Sequence, residues 1–258
     1  MVSTPPTSPP ALLRRLVATD PGRPRITVYD DTDSPTRGER IELSARVLAN
    51  WVAKAANLLR DDLDVGPGSV VVLDLPPHWR TLYWALATWS VGACVEVPRH
   101  RTTPDADEAL PLDAAGHAPF ADVIVTDAVD VAGGAAEAVL VTLAALARSA
   151  GSPVPAGVVD EARELATHGD VFDGDDEPDG ADPALRAAAM VTTFADLATS
   201  PTTAAAQRVH TDTADTAALL RLALSVWATD GSLVLTRGAP DPAVLAARLA
   251  SEGVTDAR

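Results

Sequence analysis

The amino-acid sequence predicts an α/β protein, a mostly parallel sheet flanked by helices. Three observations carry that expectation. The stretch "VGPGSVVVLDLPPHWRTLYWALATWSVGACVEVP", Val65 to Pro98, runs turn, strand, loop, helix, turn, strand. That is the order of a βαβ unit, whose crossover is almost always right-handed. Its first strand, "SVVVLDL", is a continuous apolar run, the pattern of a strand covered on both faces in a parallel sheet. Finally, strand-like and helix-like segments alternate along much of the 258-residue chain, which is long enough to bury a full core.

The elements follow in order. Residues 1–10 are rich in Pro, Ser and Thr without apolar periodicity and are expected to form a disordered tail, leaving 11–258 as a single domain. "RITVYD", Arg25 to Asp30, is a β-branched strand, and "DDTDSPTRGER" is a turn into "IEL". Ser44 is placed to cap a helix that runs to about Arg60. Val47, Leu48, Trp51, Val52, Ala55, Leu58 and Leu59 share one face of it at helical spacing. Lys54, the only lysine in the chain, falls on the polar flank, where a solvated or snorkelling side chain is expected. In the βαβ unit, Gly66, Pro67 and Gly68 make the turn, "PPHW" breaks the strand, and Gly92 ends the helix.

"DVIVTD", Asp122 to Asp127, is a further strand. Ala135 to Ala147 reads as a helix, with Val139 to Leu143 extending in the sheet as the alternative. Residues 168–182 are acidic, Gly/Pro-rich and nearly free of apolar side chains, and are expected to be an exposed loop. Helical "TFADLATSPTTAAAQ" and "TAALLRLALSVWA", the strand "SLVLTR" and a last helix "DPAVLAARLASEG" complete the chain. There is no internal repeat.

Composition narrows the function classes. The net charge of −16 opposes phosphate at long range, so neither nucleic acid nor an anionic membrane surface is an expected partner. The longest apolar candidate, Ala135 to Ala147, contains Glu137 and is too short to span a bilayer, and the N-terminus lacks the pattern of a secretory signal. The one cysteine, Cys94, excludes an internal disulfide and fits a reducing, cytoplasmic compartment. It sits in an apolar strand as a small buried thiol.

Few residues suggest chemistry. An EF-hand-type loop starting at Asp175 would use Glu177, Asp179 and the Gly180 turn, but Pro178 interrupts it and Arg186 stands where the closing carboxylate belongs. The five histidines never pair at i, i+4, so no metal site is expected. No Gly-x-Ser-x-Gly elbow is present, and Gly133-Gly134 lacks the rest of a dinucleotide fingerprint. The best local candidate is "PPHW", where a helix N-terminus offers unpaired N–H groups and His78 and Trp79 would stand at the mouth of a ligand site. The competing reading has His78 capping the helix and Trp79 in the core. Trp84 points away from the face carrying Leu82, Leu86 and Trp89, and shares a side with Arg80. Either a second layer covers it, or Arg80 and Trp84 belong to an interface, with cation–π contact between them as the modest alternative.

The segments "ITVYD", "RIELSARVLANWVAKAANLLRDDLDVGPGSVVVLDLPPHW", "ALATWSVGACVEVP" and "DVIVTD" together resemble the opening of the AMP-binding, adenylate-forming superfamily of acyl-CoA synthetases, peptide-synthetase adenylation domains and luciferases. "LLRLALSVWATDGSLVLTRGAPDPAVLAARLASEGVT" is similar to the stretch after that superfamily's acyl-gate motif, and Asp215 or Thr216 falls at the gate. The chain looks most like a family of short, uncharacterised bacterial proteins on a truncated version of that plan.

The resemblance implies the fold of the N-terminal subdomain, but it argues against the reaction. In the enzymes a Ser/Thr/Gly-rich loop ending in Pro-Lys-Gly holds the ATP phosphates. The corresponding region here, near "ADPALRAAAMVTTFADLATSPTT", offers Thr192 and Thr193, with no lysine and no glycine between Gly180 and Gly231. Successive inward-facing amides need that permissive backbone, and phosphoryl chemistry needs fixed cations. The adenine, ribose and magnesium motifs and the catalytic lysine would lie beyond Arg258. A noncatalytic interaction or scaffold protein is therefore expected, as a homo-oligomer or with a protein partner, and no cofactor. The alternatives are a small-molecule (acyl, aryl or nucleotide) binding protein and, last, a residual acyl-adenylating ligase.

Overall fold

The computed structural model describes residues 8–101, 121–174, 178–198 and 206–257. The first helix, α1 (Pro9–Thr19), begins where the tail was expected. The Ser8 hydroxyl accepts from Ala11 N–H at 3.3 Å, and the prolines occupy first-turn positions whose amides have no helical partner. Ser8, Pro9 and Pro10 are buried, which corrects the expected 1–10 tail; residues 1–7 lie outside the described residues. The reason is α1's apolar face: Leu12, Leu13 and Leu16 pack on the following helices and draw the segment into the core.

Strands β1 (Pro24–Asp31) and β2 (Arg40–Ser44) pair antiparallel. Ser44 caps α2 (Ala45–Asn57), accepting from Val47 N–H at 3.3 Å as its position predicted. A π turn, Leu58–Asp62, ends that helix. The βαβ unit follows as β3 (Val70–Asp74), α3 (Trp79–Ser90) and β4 (Cys94–Val97), with β3 and β4 parallel. Gly92 closes α3 at φ 77°, and a Cβ there would lie 3.1 Å from the Pro67 ring, so the two turns of the unit interlock.

Next come β5 (Val123–Thr126), α4 (Val129–Gly134), β6 (Ala138–Leu140), β7 (Val159–Asp160) and α5 (Glu161–Glu164). The helix expected over Ala135–Ala147 is instead strand β6, in line with the alternative. β8 (Pro183–Ala187), β9 (Met190–Thr193), α6 (Phe194–Leu197), β10 (Arg208–Thr211), α7 (Thr216–Ala228), β11 (Ser232–Gly238), α8 (Pro242–Ser251) and β12 (Asp256–Ala257) complete the chain. The helix expected over "TFADLATSPTTAAAQ" is confined to α6, and residues 199–205 of that stretch lie outside the described residues.

The strands form two sheets, ordered β7-β6-β5-β3-β4-β8-β9 and β12-β10-β11-β1-β2. Every pairing is parallel except β8–β9 and β1–β2. The parallel α/β expectation holds, in two sheets. They separate because β1 takes β11 as its parallel neighbour, Ile26 opposite Leu233, and does not join β3. α3 runs between the sheets, touching β3 and β4 on one side and β1 on the other, with α1, α2 and α7 around it. Every residue from Trp79 to Trp89 is consequently buried. One contiguous apolar core draws on both sheets and these four helices.

The acidic stretch 168–182 is exposed at most described positions but is anchored. Lys54 Nζ donates to His168 O at 2.7 Å and pairs with Asp170 at 2.9 Å. Asn57 Nδ2 donates to Gly169 O and Val171 O, and Arg60 lies over the Phe172 ring. Lys54 is thus a clamp, correcting its expected solvated role.

Candidate functional site

In parallel α/β sheets, ligands bind at the carboxyl ends of the strands. Here those ends are marked by charged or polar side chains that close apolar runs: Asp30 after β1's core, Asp74 of β3, Thr126 and Asp127 at β5, and Arg237 of β11. A 3-10 turn, Arg99–Arg101, follows β4 and brings His100 and Arg101 to the same edge.

Asp74 is the hub of this edge and is buried. Its Oδ1 accepts from Arg101 Nε at 2.8 Å and meets His100 Nε2 at 2.8 Å, while its Oδ2 accepts from the Thr126 hydroxyl at 2.7 Å. Arg101 Nη2 bridges Asp74 O at 3.1 Å and Asp127 Oδ1 at 3.0 Å. Burial pushes the Asp127 carboxyl up against the pull of Arg101, and the Asp74 charge adds to the rise. On the neighbouring sheet, Arg237 is paired with Asp30, which the Thr32 and Thr36 hydroxyls also bind. Two arginines therefore face three aspartates, and each arginine is held by carboxylate. This edge is an ion-paired network with carboxylates in excess rather than an open cationic grip.

His78 and Trp79 are both buried, which corrects their expected place at a ligand-site mouth. His78 Nδ1 accepts from Arg80 N–H at 3.3 Å, so the imidazole caps α3 and takes one of the amides an anion would need. Burial drives the imidazole well below its ordinary pKa of 6.5, and the Arg237 and Arg80 charges push the same way. Trp79 packs edge-on to Trp51 at 5.6 Å and against Tyr83.

The expected interface residues, Arg80 and Trp84, are 1% and 0% exposed, and the interface assignment is corrected. Trp84 lies in the apolar core, with the Tyr83 ring tilted against it at 5.8 Å. Arg80 lies over Trp79 at 4.4 Å, not over Trp84. Its guanidinium donates to Glu161 Oε1 at 2.7 Å and to Ala144 O at 2.8 Å, and the Tyr83 hydroxyl shares Glu161 Oε1. Burial raises the Glu161 carboxyl, opposed by Arg80. This buried triad ties the segments carrying Ala144 and Glu161 to α3.

Of the region where the phosphate loop is expected, residues 181–198 form the β8–β9 hairpin and α6, and residues 199–203 lie outside the described residues. Thr192 pairs with Leu185 in the ladder. Thr193 caps α6, accepting from Asp196 N–H at 3.2 Å and donating to Asp196 Oδ2 at 3.0 Å. Cys94 is buried, and its thiol is pushed up to about 11. Among the described residues no group of His, Cys, Asp and Glu could hold a metal ion, and no helix is long and apolar enough to cross a membrane.

Two concavities lie elsewhere. An apolar one of about 680 Å³ sits between α1, α2 and residues 170–174, lined by Leu13, Val17, Ala49, Val52 and Phe172. A more polar one of about 710 Å³ is lined by Asp62, Ser149, Ser152, Arg163 and Glu164.

The signal for the strand-end network was present in "VLD", "IVTD", "PRHR" and "LTR", each a charged end to an apolar run. It could not be recognised as one cluster because the strands that supply it belong to two sheets.

With sheets and site in place, the class is clear: the chain has the fold of the N-terminal domain of adenylate-forming enzymes. Brucella canis acyl-CoA synthetase matches with a TM-score of 0.71 at 15% identity, covering 100% of this chain and 48% of that one. The Klebsiella oxytoca NpsA N-terminal subdomain in complex with 3-hydroxybenzoyl-AMSN matches with a TM-score of 0.62 at 17% identity, covering 97% and 59%. The chain thus spans about half the length of these structures. No family profile matches it. A TIGR03089 family protein of Mycobacterium tuberculosis is 37% identical over 267 aligned positions, 98% of this chain and 99% of the relative. The chain belongs to the TIGR03089 family.

Proposed function

We propose that this protein is a noncatalytic member of the adenylate-forming fold that acts through interaction with a partner. The feature that supports this reading is a phosphate-loop region without lysine and without glycine between Gly180 and Gly231, whose described part forms the β8–β9 hairpin and α6. Thr192 is committed to a strand ladder and Thr193 to a helix cap. The strand-end edge supports the reading too, since Arg101 and Arg237 are held by Asp74, Asp127 and Asp30. With Arg80 and Trp84 buried, the interaction uses other surface, with a second copy or another protein as the partner. The test is ATP–pyrophosphate exchange by the purified protein across a panel of carboxylic acids with magnesium. The expected result is no exchange above buffer; carboxylate-dependent exchange sinks the proposal.

Small-molecule binding is the second reading, favoured by the apolar concavity of about 680 Å³, a size usual for ligand pockets. A thermal-shift series with ATP, AMP, CoA and acyl-CoAs tests it, and an unchanged Tm at saturating concentrations removes it.

A further inference from the structure

We propose that the open edge of β9 is a docking strand for an extended, acidic peptide segment of a partner protein. This gives the interaction reading a location, and rests on it. Among the described residues β9 ends the seven-stranded sheet, with β8 as its neighbour on one side. Ala187 pairs with Met190 across a two-residue turn, so those residues exchange ladder hydrogen bonds and the next pair, Arg186 with Val191, does not. The Val191 N–H and C=O therefore face away from β8.

Natural edge strands are usually blunted by charge, proline or a bulge. β9 reads Met-Val-Thr-Thr and carries neither charge nor proline, and the register irregularity of the pair sits at Pro183–Leu185 on β8. Met190 and Val191 are 61% and 57% exposed. A strand with outward amide groups and exposed apolar side chains is the geometry of β-strand addition, in which backbone bonds supply affinity and flanking side chains supply selectivity.

The flanking side chains select the partner's charge. Arg186 lies opposite Val191, and its Nη1 is 3.9 Å from Glu96. Arg221 of α7 lies against Met190, Nη2 to Sδ 4.0 Å, and makes no ion pair among the described residues. Arg221 is thus the arginine available at this edge, in a chain of net charge −16, while Arg186 on the inner strand already faces Glu96. A second copy pairing its own β9 here would bring arginine against arginine. An acidic strand meets Arg221 instead.

The experiment uses the full chain and two labelled octapeptides, one alternating Val and Glu and one alternating Val and Lys, followed by fluorescence anisotropy. The Val/Glu peptide is expected to bind saturably and at least tenfold tighter than the Val/Lys peptide. Arg221→Glu should weaken the Val/Glu peptide at least tenfold. Val191→Pro, which removes an outward N–H, should weaken both peptides; a melting curve checks that it folds, and Arg221→Glu stands alone if it does not. No saturable binding, or binding indifferent to Arg221→Glu, overturns the proposal. So does a concentration-dependent dimer abolished by Val191→Lys, which would assign the edge to a second copy. The exchange assay bears on the absence of catalysis and the peptide titration on this edge, so either can fail alone.

Discussion

At the residue scale, the most consequential side chains are the ones a surface reading would have exposed. Arg80 and Glu161 form an ion pair whose side chains are 2% and 0% exposed, a placement that stands only because each has a partner. Replacing such a pair by apolar residues can be neutral, but breaking it strands a charge and costs about 3–5 kcal/mol. Arg80→Met should therefore lower the unfolding free energy in urea by about that amount, and adding Glu161→Gln should recover part of the loss. A single-variant loss under about 1 kcal/mol would show the pair to be dispensable.

His78 makes a pH prediction of definite sign. Its folded pKa lies well below 6.5, so above that value both folded and unfolded states are neutral and the cap is undisturbed. As pH falls below 6.5 the unfolded chain takes up a proton the folded one refuses, and stability declines, with a limiting slope of about 1.4 kcal/mol per pH unit from this group. His78→Asn, which keeps a capping acceptor, should flatten that limb in urea melts between pH 7 and 5. An unchanged slope would count against the buried neutral imidazole.

At the scale of elements, the acidic stretch shows how a segment with few apolar side chains acquires a fixed path. Its carbonyls are gathered by α2, through Lys54 and Asn57 at one helical spacing and Arg60 one turn on. The Lys54–Asp170 pair is partly exposed, so its contribution to global stability is small, about 0–1 kcal/mol. Its effect is local. Lys54→Ala should raise amide hydrogen exchange across 168–174 while leaving the global unfolding midpoint within a degree or two. Exchange unchanged in that loop would mean Asn57 and Arg60 hold it alone. The sequence placed Lys54 on the helix flank correctly, but it could not say what stood opposite, since the carbonyls lie more than a hundred residues away.

At the scale of the whole molecule, hydrogen bonds between residues far apart in the chain fasten helices to one another and to the five-stranded sheet. Arg15 of α1 donates to Trp227 O and Ala228 O at the end of α7, and the Trp227 indole donates to Arg25 O. Glu252, after α8, is bound by Tyr29, Arg40 and Arg208, fastening the C-terminal helix across β1, β2 and β10. Burial works to raise its carboxyl, but these donors outweigh it and hold it at about 2. A depressed folded pKa stabilises above the unfolded value of 4.5 and is lost as pH falls from there toward about 2. Glu252→Gln should remove part of the acid-induced loss between pH 4.5 and 2 and lower the Tm at neutral pH. Identical acid limbs in both proteins would show the staple to be idle.

The sequence by itself determined the local order: the βαβ unit, the Ser44 cap, the turns at Gly66–Gly68 and Gly92, the helix over Thr216–Ala228, and a phosphate-loop region without glycine or lysine. Those features depend on neighbours a few residues apart, which is where capping, φ preferences and apolar periodicity act. Only the tertiary structure decided that there are two sheets, that Pro9 and Pro10 enter a helix, that Arg80 and Trp84 are interior, and that Arg101 and Arg237 are paired with Asp74, Asp127 and Asp30. Each of these turns on which distant strand becomes a neighbour. That choice is set by packing α3 on all sides at once, and no short window of residues contains it.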